Sequence, residues 1–372
     1  MSIKTGGRIN STGGVTAPGQ DIWGKRSSNV KRLSAEEALN LYNNDDIFAL
    51  GRLANNVAET KNGRYVFFIR NIHINPTNIC INRCRFCAFS HSKGEEGAFE
   101  LTIDEILNKI NNYLQKDKNF TEVHIVGGLH PDWRFEYYVD LVSSIKKAFP
   151  SLTIKAFTAT EIDHFSRISG LSVEGVLEIL KKNGLDIMPG GGAEIFDEEI
   201  RANLCPEKVS SQRWLEIMEM AHRMGIKTNA TMLYGHIEKP EHRIDHLLRL
   251  RDLQDKTGGF QAFIPLPYQT RDITGNSSAI DDLKTIAISR LVLDNFDHIK
   301  AYWVMLGERL AQIALLWGAD DLEGTVMEEK ISHSAGGTTP QGLMVEDLID
   351  LIKKAGKIPV ERDSFYNIKK TY

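Results

Sequence analysis

No run of about 18 apolar residues occurs in this sequence, so no membrane-spanning helix is expected. The N-terminus also lacks the apolar stretch of a secretory signal. Cysteine is scarce, at four of 372 residues, and unevenly placed. Cys80, Cys84 and Cys87 sit close together, and Cys205 stands alone. A secreted disulfide framework would space its cysteines more evenly and in pairs, so this distribution points to a reducing compartment and a metal. An excess of positive charge is missing too: the formal net charge is -4. That argues against a nucleic-acid surface. Residues 1–33 are poor in acids and show no apolar period, which predicts a flexible arm, with Ile22 and Trp23 as its possible anchors. Together these absences predict a cytoplasmic protein with neither a membrane nor a nucleic-acid partner.

What is present is ordinary for a globular chain: 42% hydrophobic and 25% charged residues. A chain of this length buries a large core without disulfide staples. Ser34-Ala-Glu-Glu37 forms a capping-box pattern that opens a helix, and a second helix is predicted over 45–59. Strands are predicted at 64–70 and 73–75, then at 122–126, 153–157, 186–188, 228–233, 260–264, 300–305 and near 321–324. Helical periods fall between them, over 102–115, 135–149, 173–183, 211–224, 242–255, 279–295 and 308–317. Such alternation implies parallel βαβ units. Counted from 73–75 there are eight, enough to close an α/β fold of the (β/α)8 TIM-barrel type; a doubly wound open sheet is the alternative. The expected organisation is an N-terminal helical and strand extension at 34–70 and a barrel at 71–340. A C-terminal helix over 344–356 and a tail complete 341–372.

Catalysis in such barrels sits at the C-terminal ends of the strands. Just past the first barrel strand lies Cys80-Ile-Asn-Arg-Cys84-Arg-Phe-Cys87, a C-x3-C-x2-C pattern. A tight loop can wrap three thiolates around three corners of an iron–sulfur cubane, leaving one iron open to a substrate or cofactor. A structural zinc with His91 as fourth ligand is a second reading, although that spacing is unusual for zinc. Buried, unreactive thiols are a third, and Cys205, followed by Pro206, fits that description.

Polar and glycine-rich turns follow the next strands. Gly127 and Gly128 would let a ligand approach the backbone closely. Glu161 is either a ribose ligand or a helix-capping acid. Glu194 follows three glycines, and Arg201 is either a carboxylate ligand or a solvated helix residue. His236 is either an acid–base group or a satisfied rim histidine. His130 and Glu238 complete the catalytic candidates.

The C-x3-C-x2-C pattern with Phe86 before its last cysteine resembles the signature of the radical SAM superfamily. The resemblance implies a 4Fe–4S cluster held by Cys80, Cys84 and Cys87, with the amino and carboxylate groups of S-adenosylmethionine (SAM) on the open iron. One electron then cleaves SAM to a 5′-deoxyadenosyl radical. It also implies SAM contacts at Phe86, Gly127, Gly128, Glu161, Glu194, Arg201 and Gly235. Gly127-Gly128-Leu129 stands where the superfamily carries Gly-Gly-Glu, so Leu129 departs from the pattern while the backbone role survives. Thr231 and Leu233 likewise depart from the adenine-lining pattern that Gly235 and Glu238 match.

More locally, His73-Ile-Asn-Pro-Thr-Asn, Met232-Leu-Tyr-Gly-His236 and Ala319-Asp-Asp-Leu-Glu-Gly324 resemble the menaquinone and deazaflavin branch. Residues 298–303 and 324–330 are most similar to the aminodeoxyfutalosine synthase family. That implies 3-[(1-carboxyvinyl)oxy]benzoate as second substrate, radical addition to its double bond, and a flavodoxin or ferredoxin reductant. Arg85, Arg201 and His130 are candidate donors to this dianion. The rivals are dehypoxanthine futalosine cyclase, the tyrosine-using deazaflavin cofactor synthase subunit and, from another class, a non-catalytic iron–sulfur electron carrier.

Overall fold

The computed structural model of the protein describes residues 32–269 and 277–372. The segment that holds Ile22 and Trp23 lies outside them. The chain opens with α1 (Ala35–Tyr42), whose capping box is formed as the sequence suggests: Ser34 Oγ accepts from Glu37 N at 3.2 Å, and Glu37 accepts from Ser34 N at 2.9 Å. Helix α2 (Ile47–Asn62) and strand β1 (Tyr65–Ile69) follow. The repeating units then run through β2 (Asn71–Ile74), α3 (Ile103–Lys116), β3 (Glu122–Ile125), α4 (Phe135–Ala148) and β4 (Thr153–Ala156). They continue through α5 (Ala159–Ser169), α6 (Val173–Lys182), β5 (Ile187–Met188), α7 (Glu198–Leu204), α8 (Ser211–Arg223) and β6 (Lys227–Tyr234). Next come α9 (Pro240–Thr257), β7 (Phe260–Pro267), α10 (Ala279–Val292), β8 (His298–Ile299), α11 (Trp303–Leu306), α12 (Glu308–Ala314) and β9 (Asp321–Gly324). Helices α13 (Ile331–Ser334) and α14 (Val345–Lys354) lead to β10 (Ile358–Arg362) and β11 (Ile368–Thr371).

Strands β2 to β8 form one parallel sheet in sequence order. Its two edges are joined through residues 321–327. Ala301 N donates to Asp321 O at 2.8 Å on one side, and His73 N donates to Met327 O at 3.0 Å on the other. Seven of the eight expected units therefore share one parallel sheet, and the eighth strand, β9, belongs to the second sheet and meets the first only through isolated bridges. Gly324 makes this junction possible, because a Cβ there would lie 2.1 Å from Ile69 O. A second sheet, ordered β11-β10-β1-β9, shares β9 with this junction; β1 runs parallel to both β9 and β10. Strands β10 and β11 were not anticipated from the sequence. Lys and Glu in short segments hide them, and β10 pairs with the distant β1, Tyr65 opposite Ile358, before β11 can pair with β10.

The strand expected at 300–305 is the clearest departure. Only His298–Ile299 is a strand, and Trp303–Leu306 turns into a helix. The run Ala-Tyr-Trp-Val-Met has high strand propensity, but the wholly buried Trp303 indole donates to Gly324 O at 2.9 Å and fixes the turn. Tertiary packing overrides local preference here.

A buried ion pair fixes the entry to the last strand. Arg290, fully buried on α10, reaches Gly318 O, Asp297 O and the Asp320 carboxylate at 2.5–3.0 Å. Asp320 also accepts from His298 Nδ1 at 2.7 Å, Asn62 Nδ2 at 2.6 Å and Ile299 N at 2.8 Å. Replacing one partner leaves an unpaired buried charge. Asp320→Ala is expected to cost about 3–5 kcal/mol, measured by denaturant unfolding. Asp245→Ala, on an exposed helix face, should stay within about 0.5 kcal/mol.

Candidate active site

A cavity of ≈ 340 Å³ opens where the barrel strands end. Its size suits a small-molecule site. The loop after β2 brings Cys80, Cys84 and Cys87 to its rim, all as free thiols. The loop is braced along its length. Asn78 Nδ2 donates to Gly97 O at 2.9 Å, Cys80 N to His91 O at 3.1 Å, and Arg85 N to Leu204 O at 2.9 Å. The His91 ring is part of this bracing, with Nδ1 3.0 Å from Phe89 O and from Asn78 Nδ2. Among the described residues, no three His, Cys, Asp or Glu side chains gather tightly enough to share a single ion. That disfavours the zinc reading. A cubane spreads its thiolates over separate irons and needs no such convergence.

The turn after β3 packs directly on the cysteine loop. Gly128 N donates to Thr77 O at 2.9 Å, Ile81 N to Leu129 O at 2.9 Å, and Leu129 N to Cys80 Sγ at 3.3 Å. A Cβ on Gly128 would sit 2.1 Å from Ile79 O. Glycine is therefore required at this position for packing. Burial pushes the Cys84 thiol up to about 12, and it also raises Cys80. Both thiols thus want a cation before they ionise, as an iron site supplies. Three free thiols from one braced loop, on one cavity walled by glycines, fit a cluster of the radical SAM kind.

Glu161 lies on the same wall, nine-tenths or more buried, and serves two turns at once. It accepts from Thr158 N at 2.7 Å and Thr158 Oγ1 at 2.8 Å, completing a capping box on α5, and from Gly127 N at 3.3 Å. Its carboxylate therefore links the β4 turn to the Gly127-Gly128 turn. Burial pushes its pKa up to about 7, against the pull of those hydrogen bonds. Glu194 also lines the cavity, in a left-handed conformation with φ 46°. It pairs with Lys208, whose ammonium lies 5.1 Å from the Phe86 ring centroid. Burial alone would raise the Glu194 carboxyl, yet Lys208 holds it below the usual range. Lys208 was missed in the sequence. It sits in an irregular segment between α7 and α8, and no motif marks it.

Other candidates stand outside the cavity. Arg201 is buried behind the glycine turn and spends its guanidinium on four backbone carbonyls: Ala193 O at 2.5 Å, Ile195 O at 3.1 Å, Gly192 O at 3.3 Å, and Val209 O. It braces the turn and has no free edge for a SAM carboxylate. Gly235 N and His236 N donate to Glu238 at 2.6 and 2.8 Å, and Arg243 Nε donates to the same carboxylate at 2.7 Å. His236 Nε2 faces Leu233 O at 3.0 Å. This closed network makes His236 a satisfied histidine and keeps Glu238, despite burial, well below the usual carboxylate range. His130 pairs with Glu100 and stacks on Trp133. None of these residues lines the cavity, and Arg85 is exposed beside it.

Sequence comparison agrees with the geometry. Residues 74–250 match the radical SAM superfamily, and residues 257–372 match the CofH/MqnC C-terminal region. The chain belongs to the radical SAM superfamily, and its C-terminal region, residues 257–372, places it in the CofH/MqnC branch. It is 49% identical to aminodeoxyfutalosine synthase of Thermus thermophilus, with 90% of this chain and 92% of that one covered. Against the Streptomyces coelicolor enzyme of the same name it is 45% identical, with 92% of each covered. It is also 43% identical to 5-amino-6-(D-ribitylamino)uracil–L-tyrosine 4-hydroxyphenyl transferase of Archaeoglobus fulgidus, over 85% of this chain and 92% of that one. Among solved structures, methylornithine synthase matches 88% of this chain and 94% of its own, with a TM-score of 0.71 at 18% identity, a likeness of fold.

Two outcomes follow from the site. Gly128→Ala should fold but bind little iron or sulfide on reconstitution, because its Cβ displaces the turn that abuts Cys80; full iron content would refute that coupling. For Glu161, the folded pKa near 7 lies above the unfolded carboxyl value. Its contribution to stability is therefore complete below about pH 4.5 and is lost as pH rises through 7, by about 3 kcal/mol. Glu161→Gln should remove that slope in urea titrations of the cluster-free protein at pH 5 and 8.

Proposed function

We propose that this chain is an aminodeoxyfutalosine synthase. It joins the 5′-deoxyadenosyl part of SAM to 3-[(1-carboxyvinyl)oxy]benzoate, with rearrangement and loss of one carboxylate, giving 6-amino-6-deoxyfutalosine for menaquinone biosynthesis. The observation that carries this reading is the 49% identity to a synthase of that name across nine-tenths of the chain. Three thiols and an otherwise largely apolar cavity support it.

In this reading Cys80, Cys84 and Cys87 hold the 4Fe–4S cluster, with SAM beside it. When bound, cluster and SAM supply the 5′-deoxyadenosyl radical. The residues around them bind, orient and exclude water. The backbone at Gly127 and Gly128 would receive the amino group of SAM, and Lys208, in the role first considered for Arg201, would offer its ammonium to the SAM carboxylate. Glu194 holds that ammonium in place. Ile264, Leu266 and Ile331 give an aromatic ring an apolar berth. A primary carbon radical reacts with almost any neighbour, so near-attack placement and a dry wall decide its fate. The catalytic unit spans 71–340, braced by 34–70 and 341–372, with a flavodoxin or ferredoxin as cytoplasmic electron donor. No helix among the described residues is long and apolar enough to cross a membrane.

The second reading is the tyrosine-using transferase, favoured by the 43% identity to the archaeal enzyme. Anaerobic incubation of reconstituted protein with SAM, dithionite and the enolpyruvyl benzoate, read by mass spectrometry, separates the two. The expected product carries both adenosyl and benzoate skeletons, and Cys84→Ala makes none. Free 5′-deoxyadenosine alone, or an adduct formed only with tyrosine and the diaminouracil, would sink the synthase assignment.

A further inference from the structure

We propose that His73 and His124 are the anchor for a carboxylate of the second substrate at the floor of the cavity. The inference rests on the synthase reading and adds to it where that substrate is gripped. The two histidines are register partners on β2 and β3, with ring centroids 4.4 Å apart, and both line the cavity. Residue 73 lies within its strand, whereas Cys80 lies beyond the strand's end, so the pair sits deeper in the barrel than the thiol loop.

Three of their four ring nitrogens are uncommitted. His73 Nε2 and both ring nitrogens of His124 are buried and have no hydrogen-bond partner among the described residues. Buried polar groups in folded proteins are almost always paired, so three adjacent orphans mark a place where a partner arrives with a ligand. The charges around them are already matched. Lys155 pairs with Glu122 at 2.9 Å, Lys300 with Glu323, Arg362 with Asp321 at 2.8 Å, and His333 with Glu329 at 2.9 Å. The floor therefore has no free ammonium to offer. What it offers is one N–H from each neutral imidazole, and burial keeps both rings neutral. Two adjacent N–H donors match the two oxygens of one carboxylate. A molecule held there by its acid end keeps its ring in a cavity that Ile264 and Leu266 also line.

The test uses reconstituted holoenzyme with His73→Phe, His124→Phe and the corresponding Gln variants. Each Phe variant should raise KM for the enolpyruvyl benzoate by about tenfold or more, the loss of one useful hydrogen bond to a charged group. KM for SAM and iron content should be unchanged, and Gln, which keeps an N–H donor, should recover most of the loss. The wild type should also prefer the diacid over its monocarboxamide, and that preference should collapse in the double Phe variant. An unchanged KM, or a parallel loss of SAM affinity and iron, would overturn the anchor and leave a structural role. If Phe fails to fold, the Gln variants and the carboxamide preference still decide. Absence of any adduct from the wild type overturns the synthase reading, and this inference with it. An adduct whose formation ignores both histidines overturns the inference alone.

Discussion

The fit of the Gly127-Gly128-Leu129 turn against the cysteine loop is the constraint on which the site depends. At Gly128 the two backbones are so close that no side chain can come between them. From that contact the Leu129 amide reaches Cys80 Sγ, and the Leu129 carbonyl accepts from Ile81. Glu161 then ties the same turn to the cap of α5. Loop, turn and helix thus form one rigid corner on three successive strands. Preorganisation of this kind puts the cost of ordering a ligand-binding loop into folding, where the barrel core offsets it, and not into binding.

Much of this was legible in the sequence, and the exceptions have physical reasons. The cysteine triplet, the glycine turns and the strand–helix alternation are local signals, set by spacing and periodicity, and the barrel follows from counting them. The capping box at Ser34 is equally local, and Glu161, read as a ribose ligand or a helix-capping acid, caps α5 and also holds the glycine turn. Arg201 and His236 are different. Their residue types suit catalysis, yet the chain folds back carbonyls and carboxylates that use up their donors, and nothing nearby in sequence announces that. Lys208 shows the converse, a lysine in an unremarkable segment between α7 and α8 that pairs with Glu194. Trp303 turned an expected strand into a helix through one long-range hydrogen bond to Gly324.

The electrostatics divide the cavity into two ends. Near the thiols, Lys208 and Glu194 form a wall pair with an aromatic face beside it. At the floor, paired charges in the barrel interior cancel one another and leave neutral imidazoles exposed to whatever enters. A buried pair contributes little net stability, so the reason for keeping so many charges in a barrel interior lies elsewhere. They hold polar groups at fixed positions in a medium where a misplaced dipole is costly.

The shared strand β9 carries a consequence for the birth of the molecule. Its neighbour β1 emerges from the ribosome early, but Phe67 pairs with Asp321 and Tyr65 with Ile358. Until β9 is made, β1 has no strand partner and the sheet lacks the segment that joins its edges. Pairing over such a span is slow to nucleate and leaves edges exposed to neighbouring chains. The cysteine loop and the Gly127-Gly128 turn are thus made well before Leu204, which braces the loop, and before the segment at 321–327 that joins the edges of the sheet.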